Sequence, residues 1–168
     1  MPQAGLLEAD LVYEIIVEGG ETRMMAVLKG KNLEKIGPVR SSRHYFLDYA
    51  LENDAIYVHF GWSPQAEADI SELGVDNING LYYDGTYFWR VSDRYAPHNA
   101  VISTKNILQV AKNNEYRTTT DKKTVLNYVA DEIELETDKK ADTVVIPYSD
   151  YNTCLLYTSP SPRDAHES

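Results

Sequence analysis

The stretch DAIYVHFGWSPQ, residues 54–65, constrains the fold more than any other part of the sequence. Its first seven residues are nearly continuously apolar, which is typical of a strand that is covered on both faces. Gly61 then leads to Ser63 and Pro64, a helix-capping residue followed by proline at the first helical position. A buried strand that turns directly into a helix indicates a sheet with helices packed on it.

The neighbouring segments add strands and helices in a mixed order. Residues 10–18 and 22–28 flank Gly19-Gly20 and predict a β-hairpin. Residues 41–52 predict a helix capped by Ser41 or Ser42. The pattern also predicts helices at 64–74 and 103–114, a short hairpin about Asp84-Gly85, and a loop or short strand at 96–104. The predicted fold class is therefore α/β (or α+β), a mixed β-sheet with an N-terminal β-hairpin and helices packed on it.

Length and charge limit the class of function. The chain has 168 residues, 43% of them hydrophobic, enough for one domain of ordinary size. A formal net charge of −10 argues against sequence-independent binding to nucleic acid, which needs a basic surface. No apolar run approaches the roughly 20 residues of a spanning helix, and no signal peptide opens the chain.

The C-terminal tail raises a separate question. The run CLLYTSPSPRD, residues 154–164, has no helical or strand period and matches a translation of a transposase adapter used in sequencing libraries. We therefore interpret residues 154–168 as adapter read-through on a fragmentary assembly and exclude them from the fold. A genuine Ser/Pro-rich disordered tail is the alternative. Cys154 is the only cysteine, so its exclusion leaves no basis for thiol catalysis, disulfides or thiolate metal sites.

Positive charge is concentrated in one segment of this acidic chain. Between Arg23 and Arg43 there are six bases and one acid, a local charge of +5, so the rest totals −15. Arg40 and Arg43 lie at the start of the helix predicted for residues 41–52, where backbone N–H groups favour an anion. The alternative is that Glu14 and Glu18 pair with Arg23 and Arg43 in an internal ion-pair network.

Two further segments are candidates for a site. His59 ends the buried strand and Trp62 and Ser63 follow it, and ligands bind beyond the carboxyl ends of strands in open α/β sheets. The loop that follows residue 89 contributes Arg90, Arg94, His98 and Asn99, and His59 with His98 could form an acid/base pair. The alternatives are an internally hydrogen-bonded His59, a capping Ser63, and surface arginines beside Asp93. No phosphate-binding loop, dinucleotide motif, hydrolase motif or metal signature is found, and no cofactor is indicated.

Four motifs in this order and spacing resemble the YerB-like lipoproteins, a domain of unknown function in Gram-positive and related bacteria. They are PQAGLLEADLVYEIIVEGGETRMMAVL, IGPVRSSRHYFLDYA, DAIYVHFGWSPQA and APHN. The resemblance implies a YerB-like N-terminal domain at 1–115 without its first strand, a charged connector at 116–142, and the start of a truncated C-terminal domain at 143–153. It also assigns ten residues to the family's pattern: Glu14, Glu18, Arg23, Arg40, Arg43, His59, Ser63, Pro97, His98 and Asn99. Trp62 departs from that pattern, which usually has a small residue there.

The resemblance implies a protein outside the cytoplasmic membrane, held by a lipid anchor that this fragment lacks. Three functions are compatible with these residues. The first is binding of an anionic small molecule or cell-envelope polymer by Arg40, Arg43, Ser63, Trp62, Arg90 and Asn99. The second is a hydrolase or transferase for a phosphodiester-like bond, with His59 and His98 as acid and base. The third is an envelope scaffold that binds another protein through exposed apolar residues.

Overall fold

The strands and helices follow the mixed order expected from the sequence. A computed structural model of the protein describes residues 3–123, 126, 143–148 and 153–157. Within these residues the elements are β1 (Leu11–Ile16), β2 (Thr22–Val27), α1 (Phe46–Glu52), β3 (Tyr57–His59), α2 (Pro64–Glu72), β4 (Asn77–Asn79), β5 (Trp89–Arg90), β6 (Ala100–Val101), α3 (Thr104–Asn113), β7 (Thr143–Pro147) and β8 (Thr153–Tyr157). The predicted mixed α/β class is confirmed.

The chain divides into two compact units, one formed by residues 1–12 and 26–126 and the other by residues 13–25 and 127–168. In the first unit, the extended segment 36–42 pairs with β6 on one side. Ile36 and Ile102 exchange backbone hydrogen bonds of 2.7 and 3.1 Å, and Val39 N donates to Ala100 O at 2.8 Å. This pairing is antiparallel at Ile36, and β6 also pairs antiparallel with β5.

The same segment then changes its pairing partner. Phe60 N donates to Arg40 O at 2.9 Å, and Ser42 N donates to Gly61 O at 2.8 Å in a parallel bridge. β3 itself pairs in parallel with β4. Segment 36–42 therefore joins an antiparallel ladder to a parallel one, and Arg40 lies where the pairing changes.

Local signals explain the two longer helices. Ser63 Oγ accepts a hydrogen bond from Ala66 N at 3.3 Å at the start of α2, and Pro64 occupies the first turn. Ser103 Oγ caps α3 in the same way, accepting from Asn106 N at 3.2 Å. Both predicted caps are confirmed. The core between α3 and the sheet contains four fully buried side chains, Ile78, Phe88, Ile102 and Val110.

The start of α1 differs from the prediction. α1 begins at Phe46, and neither Ser41 nor Ser42 caps it. Ser42 instead uses its backbone in the parallel bridge, and Ser41 Oγ donates to Phe60 O at 3.1 Å. Pairing with the strand that follows β3 holds residues 40–42 extended, so Arg40 does not lie at a helix N-terminus. Arg43 lies just before the N-cap Tyr45, and its carbonyl oxygen accepts a hydrogen bond from Phe46 N at 3.1 Å.

The hairpin predicted about Asp84-Gly85 is also wrong. Residues 83–88 form a compact turn in which Phe88 N donates to Tyr83 O at 3.0 Å. The strand that follows, β5, pairs with β6 across the loop 91–99. A distant partner, and not the local Asp-Gly signal, therefore determines the pairing of this strand.

The second unit contains the hairpin tip and the pair β7–β8. Gly19 and Gly20 both have positive φ, at 73° and 72°, which the turn between β1 and β2 requires. β7 pairs antiparallel with β8 from Thr143–Tyr157 to Pro147–Thr153. Residues 154–157 have no strand period in the sequence, yet they belong to β8. The adapter origin of the coding sequence stays a prediction, and residues 127–142 and 158–168 lie outside the described residues.

Candidate functional site

A cavity of about 480 Å³ opens beyond the carboxyl ends of the parallel strands β3 and β4. We call it the main cavity. This is the position where ligands bind in sheets of this kind, and the volume lies in the range of small-molecule sites. Three parts of the first unit contribute its walls: segment 39–41, the residues that follow β3 and β4, and the loop after β5. The lining residues are Val39, Arg40, Ser41, Phe60, Gly61, Trp62, Leu81, Arg90, Ala96 and Pro97.

Arg40 lines the main cavity and forms no ion pair with a carboxylate of the described residues. Its Nη1 contacts Nδ1 of His98, which must accept through its lone pair because a guanidinium only donates. Among the described residues, no carboxylate lies within ion-pair distance of Arg40, and no acidic residue lines the main cavity. The positive charge of Arg40 is therefore not neutralised by the described part of the chain.

Arg90 lines the same cavity, but its guanidinium is already engaged. Its Nη2 donates to Asp84 at 2.8 Å, and its Nη1 donates to Oδ1 of Asn99 at 2.9 Å. The guanidinium carbon also lies 4.5 Å from the centre of the Phe60 ring, a cation–π contact. Arg90 therefore holds the loop, the turn and Phe60 together, and Asn99 contributes to the same network.

Apolar side chains form another wall of the main cavity. Trp62 makes an edge-to-face contact with Tyr82, with ring centres 6.1 Å apart. Leu81 is 57% exposed at the cavity, and Ala96 and Pro97 complete this wall. A cavity with one available cation and an exposed aromatic wall can contact both the charged group and the apolar face of a ligand.

Asn79 connects the two loops that carry this wall. Its Oδ1 accepts hydrogen bonds from Gly61 N at 2.9 Å and from Leu81 N at 3.1 Å. Only 2% of Asn79 is exposed, and among the described residues its Nδ2 has no hydrogen-bond partner. One buried amide therefore fixes the relative position of the residues that follow β3 and β4.

His59 lies under the cavity and not in its wall. It is 1% exposed; its Nδ1 is 2.8 Å from Gly61 O and its Nε2 is 3.1 Å from Oδ1 of Asn77. Burial lowers the pKa of His59 below its usual value, and the two hydrogen bonds oppose this shift. Since both ring nitrogens are engaged, the described geometry matches the internally hydrogen-bonded alternative. Among the described contacts none joins His59 to His98, and the acid/base role stays a prediction.

A second, smaller cavity of about 130 Å³ lies against residues 37–38 and the loop after β5. We call it the small cavity. Its charged and titratable lining residues are Lys35, Asp93, Arg94 and His98. Nε of Arg94 lies 3.7 Å from Asp93, whereas Lys35 is exposed. His98 thus lines the small cavity while it contacts Arg40 of the main cavity.

The remaining predicted site residues lie elsewhere. Arg43 lines neither cavity, and its Nη1 donates to Ser42 O at 2.9 Å. Ser63 caps α2. In the second unit, Nη2 of Arg23 lies 3.9 Å from Glu18, and Glu14 accepts a hydrogen bond from Thr22 Oγ1 at 2.8 Å.

Sequence reasoning missed Ser41, Asn79, Leu81 and Lys35. Lys35 belongs to the basic segment 23–43, so its charge was visible but its location was not. β4 has three residues and no recognisable strand pattern, so nothing indicated that Asn79 and Leu81 lie beside the end of β3.

Two negative findings apply to the described part of the chain. No helix in it is both long enough and apolar enough to span a bilayer. It also contains no group of three or more His, Cys, Asp or Glu side chains arranged to hold a metal ion.

The fold and its cavity define a mixed α/β domain with a basic site at the end of a parallel strand pair. Residues 1–117 match the family described as "Protein of unknown function (DUF3048) N-terminal domain". The chain belongs to this family, and the resemblance to the YerB-like lipoproteins is confirmed.

A relative and a solved structure give the extent of the similarity. The chain is 40% identical over 116 residues to a Bacillus subtilis protein named "Putative lipoprotein YerB". This match covers 69% of the chain and 35% of that protein. The crystal structure of YerB from Bacillus subtilis is similar with a TM-score of 0.67 at 40% identity, over 69% of this chain and 40% of that one. The chain thus spans about a third of the length of this curated relative.

Proposed function

We propose that this domain binds an anionic ligand, bearing phosphate or carboxylate, in the main cavity. The observation that carries the proposal is Arg40, a cavity-lining guanidinium for which the described residues supply no carboxylate. In a chain of net charge −10, such a cation concentrates anions locally. A guanidinium also offers a planar fork that matches phosphate and carboxylate.

The apolar wall contributes a second part of the binding. Because Arg40 is partly exposed, a single ion contact is worth about 1 kcal/mol or less. Burial of apolar ligand surface against Trp62 and Leu81 adds roughly 25 cal/mol per Å². The ligand class is therefore an amphipathic anion whose apolar or ring-shaped part stacks on Trp62 while its charge contacts Arg40.

The proposal extends to the location of the ligand. The Bacillus subtilis relative is named a lipoprotein, and lipoproteins are held at a membrane by their lipid. We infer that the full-length protein is anchored outside the cytoplasmic membrane and that its ligand is an envelope component.

Calorimetric titration with a panel of phosphorylated sugars and nucleotides tests the proposal. Arg40→Ala should weaken binding of any member that binds the unaltered chain by up to about fivefold, and Arg40→Lys should weaken it less, because lysine keeps the charge but loses the fork. Lys112→Ala, which removes one exposed cation of α3 outside both cavities, is the matched control and should bind normally. Unchanged affinity in Arg40→Ala would overturn the proposal.

A further inference from the structure

The main cavity and the small cavity share two stretches of chain in their walls. Residues 37 and 38 line the small cavity and residues 39–41 line the main one. In β5 and the loop after it, residues 91, 93, 94 and 98 line the small cavity, whereas 90, 96 and 97 line the main one. The contact between Arg40 and His98 joins the two walls directly. The cavities are therefore neighbours, with this contact between them.

Both cavities have basic linings. Together they are lined by four cations, Lys35, Arg40, Arg90 and Arg94, and by one acid, Asp93. Asp84 forms an ion pair with Arg90, and Asp93 forms one with Arg94, so two of these four cations have a carboxylate partner within the chain. Lys35 and Arg40 have no carboxylate within ion-pair distance among the described residues, and each lines a different cavity.

The sizes of the two cavities differ in a way that suits different parts of one ligand. The main cavity, at about 480 Å³, has room for a ring and one charged group. The small cavity, at about 130 Å³, is below the usual range for a whole small-molecule ligand. It has room for a single anionic group facing Lys35.

We propose that the ligand carries at least two anionic groups, one held by Arg40 in the main cavity and the other by Lys35 in the small cavity. This inference rests on the proposed function and adds the charge pattern of the ligand. A dianion or an oligomeric polyanion satisfies it, and a ligand with one charge does not. The second contact becomes intramolecular once the first has formed, so its contribution multiplies the affinity.

The probes are straight-chain diol bisphosphates of increasing length, each compared with the monophosphate of the same diol. Binding to the whole 168-residue chain is measured by calorimetry at one fixed salt concentration. We expect the best-fitting bisphosphate to bind about tenfold more tightly than its monophosphate, with an optimum at one linker length. An equal affinity at every length would overturn the inference and leave the proposed function intact.

Variants assign the two contacts. Lys35→Ala should remove the advantage of the bisphosphate while the monophosphate binds as before, whereas Arg40→Ala should weaken binding of both probes. Lys112→Ala should leave both affinities unchanged. A bisphosphate advantage that survives in Lys35→Ala contradicts the second contact. Failure of every monophosphate and bisphosphate to bind the unaltered chain overturns binding of phosphate in the main cavity and this inference with it.

Discussion

Asn79 provides a test of how the main cavity is built, because one side chain holds both of its strand-end loops. Replacing it with alanine removes the acceptor for Gly61 N and Leu81 N. Gly61 is buried, so leaving its N–H unpaired costs about 1–3 kcal/mol. Leu81 is exposed and its N–H can reach water, which limits that loss to about 0.5–1.5 kcal/mol.

The variant also removes the Asn79 Nδ2 group, which lacks a partner among the described residues and offsets part of this cost. We therefore expect Asn79→Ala to lower the free energy of unfolding by about 1.5–4 kcal/mol. Urea unfolding followed by tryptophan fluorescence measures it, since both tryptophans, Trp62 and Trp89, lie in the first unit.

The control for Asn79→Ala is Asn113→Ala, which removes an exposed amide near the end of α3. This change should cost less than about 1 kcal/mol. Equal destabilisation by the two variants, or a change below about 0.5 kcal/mol in Asn79→Ala, would refute the role of Asn79 as the connection between the loops.

Three further predictions concern the same unit. Gly80→Ala would place Cβ 2.8 Å from Cε2 of Phe60 and closer still to Cδ2, so urea unfolding should show a loss of about 1–3 kcal/mol that Phe60→Leu partly reverses. Burial lowers the pKa of His59, so the contribution of neutral His59 to the free energy of unfolding should be complete above pH 6.5. This contribution should fall as the pH decreases below 6.5, by at most about 1.4 kcal/mol per pH unit. A His59→Gln variant should lack this component of the pH profile. The hydrogen bond from Arg117, followed by that from Thr120, lowers the pKa of Asp54 to about 2. The stabilisation of the fold by ionised Asp54 is therefore present above pH 3.8 and lost as the pH falls through 2. Carbon NMR titration should show the midpoint of the Asp54 carboxyl rising towards 3.8 in Arg117→Ala. The first prediction is contradicted if adding Phe60→Leu to Gly80→Ala recovers no stability. A stability that does not change below pH 6.5 contradicts the second, and an unchanged Asp54 midpoint in Arg117→Ala contradicts the third.

The elements that the sequence predicts well are those determined by neighbouring residues. Ser63 and Pro64 start α2 through contacts within one turn, and Ser103 does the same for α3. The buried strand β3 followed by a helix is also a local signal. It predicted side chains at a site beyond the end of β3; of these Trp62 lines the main cavity, whereas His59 lies under it.

The elements that the sequence misses depend on distant partners. Ser42 looks like a helix cap, but its backbone N–H bonds to Gly61 O in a parallel bridge, and this keeps residues 40–42 extended. β5 pairs with β6 and not across Asp84-Gly85, where residues 83–88 form a compact turn. Neither interaction has a signature within a short window of sequence.

In the candidate site, too, residue types could be predicted from the sequence, whereas contacts with distant residues could not. Arg40 was predicted as a site residue from its charge and its neighbourhood, but its structural setting differs from the prediction. It lies in a segment that joins two ladders, and not at a helix N-terminus. His98 was predicted as a partner of His59, whereas the structure places it against Arg40.

The most direct measurement of anion binding in the main cavity uses the two indole N–H signals of the protein in a proton–nitrogen NMR spectrum. Trp62 lines the cavity and Trp89 does not, so Trp89 serves as an internal reference. Titration with phenyl phosphate should shift the Trp62 signal saturably and leave the Trp89 signal in place, and the half-saturation concentration should rise up to about fivefold in Arg40→Ala. Equal shifts of both signals, or an unchanged half-saturation concentration in Arg40→Ala, would contradict binding through Arg40.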